Sequence, residues 1–265
     1  MDECIGSLMP LYAFVTGMPE GAARNALKNV LYASERLKTT WLIRPAMYTA
    51  CEMLYNAHKA GAIYGAFIFS NNSSQGLVDF VADFLNGWMT RRFSDYKRLS
   101  VFKIGVCRGS PLRSAGSLEK SISEIQRVLA GRGLPLLTDV NDLMFFDDLV
   151  HTLTAEIPNY VQVRPYMNYC PLDRVITALS ECEATVGKEA WSAIVEKARR
   201  YDAEDRGREY LTTPPTVRET IADEEMFRQA FRRFLGPGYG ARGGGARRRT
   251  RKRRQPVRKN TLRHK

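Results

Sequence analysis

Two short runs of unbroken hydrophobicity, Ala66-Phe-Ile-Phe and Leu143-Met-Phe-Phe, each stop abruptly at polar residues: Ser70-Asn71-Asn72 after the first, Asp147-Asp148 after the second. A run without alternation cannot lie half in water. It suits a strand covered on both faces, as in a parallel sheet. Parallel strands need long crossovers, usually helical, and the sequence supplies them. Apolar residues recur every three or four positions over about Ala22–Leu37 (Ala26, Val30, Leu31, Leu37) and over Ala46–Ala60 (Met47, Cys51, Leu54, Tyr55, His58). Leu77–Met89 is a strongly apolar helix. Ser117–Ala130 is amphipathic, with Ser117 as the expected N-cap, Lys120 in the first turn and Ile122, Ile125, Val128 and Leu129 as the stripe. Val101–Val106 and Tyr160–Val163 are further strands. Helices alternating with buried strands predict an α/β fold built on a doubly wound parallel sheet.

After Pro171 the pattern turns helical to about residue 202. A polar connector around Thr212-Thr-Pro-Pro-Thr follows, then one more helix over about Asp223–Leu235. From Gly236 the chain is Gly- and Arg-rich and nearly devoid of apolar residues, so it is expected to be disordered. The expected organisation is an α/β domain over 1–170, a helical extension over 171–235 and a basic tail over 236–265.

Charge separates the tail from the body. Of the 40 Lys and Arg residues, 12 lie between Arg242 and Lys265, where there is no Asp or Glu. The remaining 28 balance the 28 acidic residues, so the net charge of +12 sits wholly in the tail. The five cysteines (Cys4, Cys51, Cys107, Cys170, Cys182) are scattered and lack CxxC spacing, which argues against a disulfide framework or a zinc site. Neither a signal peptide nor an apolar stretch of about 20 residues is visible, and an intracellular protein with no membrane partner is expected.

In open α/β sheets the ligand site forms beyond the carboxyl ends of the strands. Ser70 and Asp147-Asp148 fall there. Adjacent carboxylates repel unless a cation lies between them, and hard oxygen ligands of this kind suit Mg²⁺, which also bridges to phosphate. Lys120, at the start of the helix leading to the second run, offers a fixed positive charge; Lys103 is a weaker rival for that place.

In this order the residues resemble the haloacid-dehalogenase (HAD) superfamily of phosphatases. Ser70-Asn71-Asn72 is similar to its second motif, Lys120 to its third and Asp147-Asp148 to its fourth. Arg44-Pro45 is similar to the Arg-Pro pair of phosphatases that act on polymerase tails. The opening Met1-Asp2-Glu3-Cys4-Ile5-Gly6 resembles the first motif from its second aspartate onward, with Cys4 where the pattern has Thr or Val. Phe145-Phe-Asp-Asp-Leu-Val-His and Pro158-Asn-Tyr-Val-Gln-Val-Arg-Pro-Tyr look like the HAD-like, carboxy-terminal-domain-phosphatase-like proteins of large DNA viruses.

The resemblance covers about residues 1–170 and implies a HAD-like doubly wound sheet with its first strand largely missing. It implies a Mg²⁺-dependent phosphomonoester hydrolase acting on a phosphorylated protein or small molecule, in a host cytoplasm or nucleus. It assigns acid/base catalysis to Asp2, with Ser70 and Lys120 also catalytic. Metal binding falls to Asp2, Asp147 and Asp148, and phosphate binding to Ser70, Asn71 and Lys120. The nucleophilic aspartate would precede Met1, so the 265-residue chain is expected to be inactive. The alternative is a non-catalytic HAD-fold binding module acting through its tail. There Arg247, Arg248, Arg249, Arg251, Lys252, Arg253 and Arg254 form a block suited to an import receptor or to nonspecific nucleic-acid binding.

Overall fold

The structure, a computed structural model, describes residue 15 and residues 20–33, 35–71, 74–93, 100–113, 120–150, 153–168, 170–204 and 213–237. Asp2, Cys4, Asn72, Ser117 and the basic block lie outside these residues.

In chain order, helix α1 (Ala22–Ala33) leads through a 3₁₀ turn (Glu35–Thr40) to α2 (Pro45–Lys59). Then come β1 (Ala66–Phe69), α3 (Gln75–Arg92), β2 (Phe102–Val106) and α4 (Ile122–Gly131). After a short 3₁₀ turn (Val140–Asp142) follow β3 (Met144–Asp147), α5 (Leu153–Glu156) and β4 (Asn159–Gln162). The C-terminal helices are α6 (Leu172–Ala178), α7 (Cys182–Val186), α8 (Lys188–Glu204) and α9 (Val217–Leu235).

The protein is mixed α/β, and its strands are short and parallel. β1 pairs with β2, Phe69 opposite Val106; β3 pairs with β4, Asp147 opposite Gln162. Among the described residues these form two separate two-stranded sheets, not the continuous sheet anticipated from the sequence. The resemblance expects the strand between them to be largely missing, and residues 1–14 lie outside the described residues.

Both pairs are covered on both faces, as unbroken apolar strands require. Phe69, Val106 and Phe145 enter one core cluster with Ile125, Val128 and Leu129 of α4. Ala66, Ile68 and Phe146 lie against the other, which also holds Phe102 and residues of α1, α2, α3, α6, α8 and Phe227 of α9. Period-two alternation along β1 and β3 thus deals their side chains to two different cores. Gly105 permits the close approach of α3 to β2: a Cβ there would come within 2.5 Å of Val78 Cγ1. Cys51, Cys107, Cys170 and Cys182 are buried free thiols. Burial pushes the Cys170 thiol up to about 11 and that of Cys182 to about 12, which keeps both protonated. No helix among the described residues is long and apolar enough to cross a membrane.

The last helix folds back onto the body. α9 packs against α2 and reaches β4, and Phe146 of β3 meets Phe227 and Phe231 with ring centroids 5.2 and 6.2 Å apart. Arg44, immediately before α2, locks the contact. Its fully buried guanidinium donates through Nε and Nη2 to the two carboxylate oxygens of Asp223, each at 2.8 Å, and through Nη1 to the Arg164 carbonyl at 2.8 Å. Arg164 Nη2 also reaches Asp223, at 3.3 Å. The turn that delivers Arg44 is strained. Trp41 stands at φ 43°, the left-handed region that bulky residues avoid. The Tyr166 hydroxyl donates to its carbonyl, and the Arg174 guanidinium sits 4.3 Å from its ring centroid.

α9 begins earlier than the sequence suggested, at Val217, under a capping box. Thr216 Oγ1 accepts from the Glu219 amide at 3.2 Å, and the Thr216 amide donates to Glu219 Oε2 at 2.8 Å. That backbone bond, helped by Arg164, holds the Glu219 carboxyl at about 2 instead of 4.5. A depressed folded-state value means stability present above the ordinary carboxylate range and lost as pH falls toward 2. The start of α9 should therefore hold at pH 5 and fray between about pH 4.5 and 2. Amide exchange at Glu219 and Thr220, corrected for intrinsic rates, measures this; a flat profile over that range would show that the box contributes nothing.

Candidate functional site

Among the described residues nine polar or charged residues are buried: Thr40, Arg44, Ser70, Ser110, Arg113, Lys120, Glu124, Asp147 and Asp223. Arg44 and Asp223 are the lock on α9. Ser70, Arg113, Lys120, Glu124 and Asp147 gather instead around the carboxyl ends of β1 and β3 and the start of α4. Burying charge is costly unless it is paired, so a cluster of four charged groups on strand ends is the place to look for chemistry.

α4 organises the cluster. Its N-cap is Ser121, whose hydroxyl accepts from the Glu124 amide at 3.3 Å. Glu156 of α5 adds a second cap, accepting from the Ile122 amide at 2.9 Å. Lys120 thus stands just before the helix. The sequence reading put it in the first turn, with Ser117 as the cap; Ser117 itself lies outside the described residues. Lys120 is 3% exposed and its Nζ is ion-paired with Asp147 Oδ2. The same ammonium lies 5.6 Å from the Phe145 ring centroid. Asp147, 1% exposed, accepts from the Leu149 amide through Oδ1 at 3.1 Å, while its carbonyl accepts from Val163 N at 2.8 Å. Asp148 is half-buried, and its carbonyl accepts from Gln162 Nε2 at 3.4 Å.

At the other strand end, the Ser70 amide extends the β1–β2 ladder by donating to the Val106 carbonyl at 2.9 Å. The Ser70 carbonyl accepts from Arg113 Nη1 at 2.8 Å, and Asn71 Oδ1 accepts from the same nitrogen at 3.2 Å. Arg113 is in turn held by Glu124, Nε to Oε1 at 3.2 Å and Nη2 to Oε2 at 3.4 Å. Lys120 and Glu124 are four residues apart, so the start of one helix reaches both strand ends. Gln75, first residue of α3, braces the loop: its Nε2 donates to the Gly105 carbonyl at 2.8 Å and its Oε1 accepts from the Cys107 amide at 3.2 Å.

Of the residues singled out from sequence, Lys120 and Asp147 are brought into direct contact. Ser70 and Asn71 are tied to the same helix through Arg113 and Glu124. Asp148 flanks the pair. Asp2 and the tail residues lie outside the described residues. Lys103 points elsewhere, its ammonium 5.5 Å from the Tyr64 ring centroid. Arg113, Glu124 and Gln75 were not anticipated. Glu124 left a signal: it sits one turn before Val128 on the buried stripe of α4, where a carboxylate needs a partner. Arg113 left none.

Among the described residues no three His, Cys, Asp or Glu side chains form a group that could hold a metal ion. The residues fit Mg²⁺ in kind, because it is commonly held by one or two carboxylates with water and phosphate oxygens completing the shell. Asp147 and Asp148 are the carboxylates that would hold it.

The chain matches no family model, no curated protein and no solved structure.

Proposed function

We propose that the chain carries a HAD-type phosphate site and that its chemistry is that of a Mg²⁺-dependent phosphomonoester hydrolase. The observation that carries this reading is the buried Lys120–Asp147 pair at the end of β3, with Ser70 at the end of β1 held from the same helix. Lys120 supplies fixed positive charge to phosphate oxygens without a reorganisation cost. The Ser70 hydroxyl and the Asn71 amide are suited to hydrogen-bond the same oxygens. Mg²⁺, held by Asp147 and Asp148, would offset charge on the phosphoryl group. In this scheme Asp2 protonates the leaving group and later activates water. The strand pairs β1–β2 and β3–β4 are the outer parts of the HAD sheet in this reading.

The test is a calorimetric titration of the full chain with inorganic phosphate, with and without Mg²⁺. Saturable binding strengthened by Mg²⁺ is expected. Ser70→Ala should weaken it by about tenfold or more, the worth of one hydrogen bond to a charged group. Asp147→Asn should remove the Mg²⁺ effect. A wild-type chain that shows no saturable phosphate binding would overturn the reading.

The tail supports a second, separable role. Twelve Lys and Arg residues between Arg242 and Lys265, with no acidic residue and no Phe, Tyr or Trp for stacking, suit a polyanion-binding arm that does not read sequence. Affinity for duplex DNA should fall by about an order of magnitude or more between 50 and 200 mM salt, because neutralised phosphates release counterions. Deleting residues 237–265 should abolish that binding and leave the melting temperature unchanged. Equal affinity of full-length and truncated chains, with a flat salt response, would rule out the tail as a polyanion-binding arm.

A further inference from the structure

Arg113 lies outside every motif recognised in the sequence, yet it touches three consecutive residues where the chain leaves β1. Its guanidinium carbon is 4.4 Å from the ring centroid of Phe69, the last residue of the strand. Its Nη1 donates to the Ser70 carbonyl at 2.8 Å and to Asn71 Oδ1 at 3.2 Å. Its remaining edge is spent on Glu124, whose two oxygens meet Nε and Nη2. A planar fork with five fixed donors can do this; a flexible ammonium cannot reach a carboxylate and a turn in the same rigid geometry. The side chains of both Arg113 and Glu124 are essentially sealed from water and committed to one another.

We infer that Arg113 is a positioning residue. It fixes the Ser70 hydroxyl and the Asn71 amide in the orientation that receives a phosphate group, and Glu124 holds it in place. This rests on the phosphate reading of the site. The direct contacts explain why. Tying down the Ser70 carbonyl fixes the backbone from which the hydroxyl-bearing side chain springs. Holding Asn71 Oδ1 against a guanidinium, which only donates, decides which way that amide faces. Because Glu124 lies four residues after Lys120 on the start of α4, the turn and the ammonium are referenced to one rigid element. A site held this way needs no reordering when an anion arrives.

The test must separate positioning from folding. Arg113→Ala would strand the buried Glu124 carboxylate and unfold the chain for a trivial reason. Two variants avoid this. Arg113→Met/Glu124→Leu removes both charges together, and Arg113→Lys keeps a positive charge against Glu124 without the fork. Each is first checked for a cooperative thermal transition. Full-length wild type and variants are then titrated with inorganic phosphate in Mg²⁺, and amide exchange is followed at Ser70 and Asn71. The expected result in either folded variant is an affinity lowered about tenfold, the scale of one charge-assisted hydrogen bond, with faster exchange at those two amides and unchanged exchange in α3. A folded variant that binds phosphate as wild type does overturns the positioning role while leaving the phosphate reading intact. A wild type that binds no phosphate overturns that reading, and this inference with it.

Discussion

Replacing Asp223 by alanine should cost the protein about 3–5 kcal/mol of stability, the range for removing one partner of a buried ion pair. The Arg44 guanidinium is fully buried and gives two of its hydrogen bonds to Asp223, each at 2.8 Å. Without the carboxylate, two N–H groups and a whole charge in the interior lose the partner that holds them. The loss should appear as a lowered urea midpoint. Arg44→Met/Asp223→Leu should recover most of it, since a hydrophobic pair of similar volume replaces a buried ion pair at little cost. Arg232→Ala is the control: its pair with Glu225 is well exposed, and exposed pairs contribute at most about 1 kcal/mol. An Asp223→Ala variant within that limit would show that α9 is held by its apolar face alone.

In the proposed scheme the largest effect on activity should come from placing a nucleophilic aspartate directly ahead of Met1. Extending Met1 upstream by a short apolar segment ending in aspartate should raise hydrolysis of an aryl phosphate by at least about a hundredfold over the unextended chain, the scale of one group acting on the transition state. The added carboxylate would attack phosphorus as the P–O bond to the aryl group breaks, with Asp2 giving the leaving oxygen its proton. Water, deprotonated by Asp2, would then cleave the aspartyl-phosphate and release inorganic phosphate. Turnover should need Mg²⁺, stop in excess EDTA and fall by a similar factor in Asp147→Asn. Equal background rates with and without the added aspartate would favour the non-catalytic binding module, and full rate in EDTA would overturn the Mg²⁺ assignment.

The strands were the legible part of the fold. The run at Ala66–Phe69 is a strand with those bounds, and the run at Leu143–Phe146 is β3 shifted by one residue. An unbroken apolar stretch has few other ways to be covered, so composition alone places it. Helix starts were less legible. α9 was expected at Asp223; its first two turns carry Val217 and Ile221 facing solvent, 77% and 61% exposed, off the buried face. The Thr216-x-x-Glu219 box marks the true start. At α4 the same pattern marks Ser121, which has a glutamate three residues on; Ser117, the expected cap, does not.

The site was half legible for a related reason. Ser70 and Asp147 sit where apolar runs end, a feature of the chain itself. Arg113 owes its place to tertiary structure: it is one arginine in a Ser110-Pro-Leu-Arg loop, with partners 43 residues before it and 11 after. Arg44 was visible, but its use was not. The resemblance linked it to a phosphatase motif, whereas its guanidinium is committed to Asp223 and the Arg164 carbonyl.

That commitment bears on how the chain is made. Arg44 and Asp223 are separated by 179 residues, and ribosomes add about 5–20 residues per second, so Arg44 emerges roughly 10–40 s before its partner exists. Until then closing the core over α2 buries the guanidinium without its carboxylate, at a cost of about 3–5 kcal/mol. Part of the apolar surface of the nascent protein should therefore stay uncovered until α9 arrives. Synthesis paused anywhere before α9 should leave a protease-sensitive chain, and completion of that one helix should close the whole body at once.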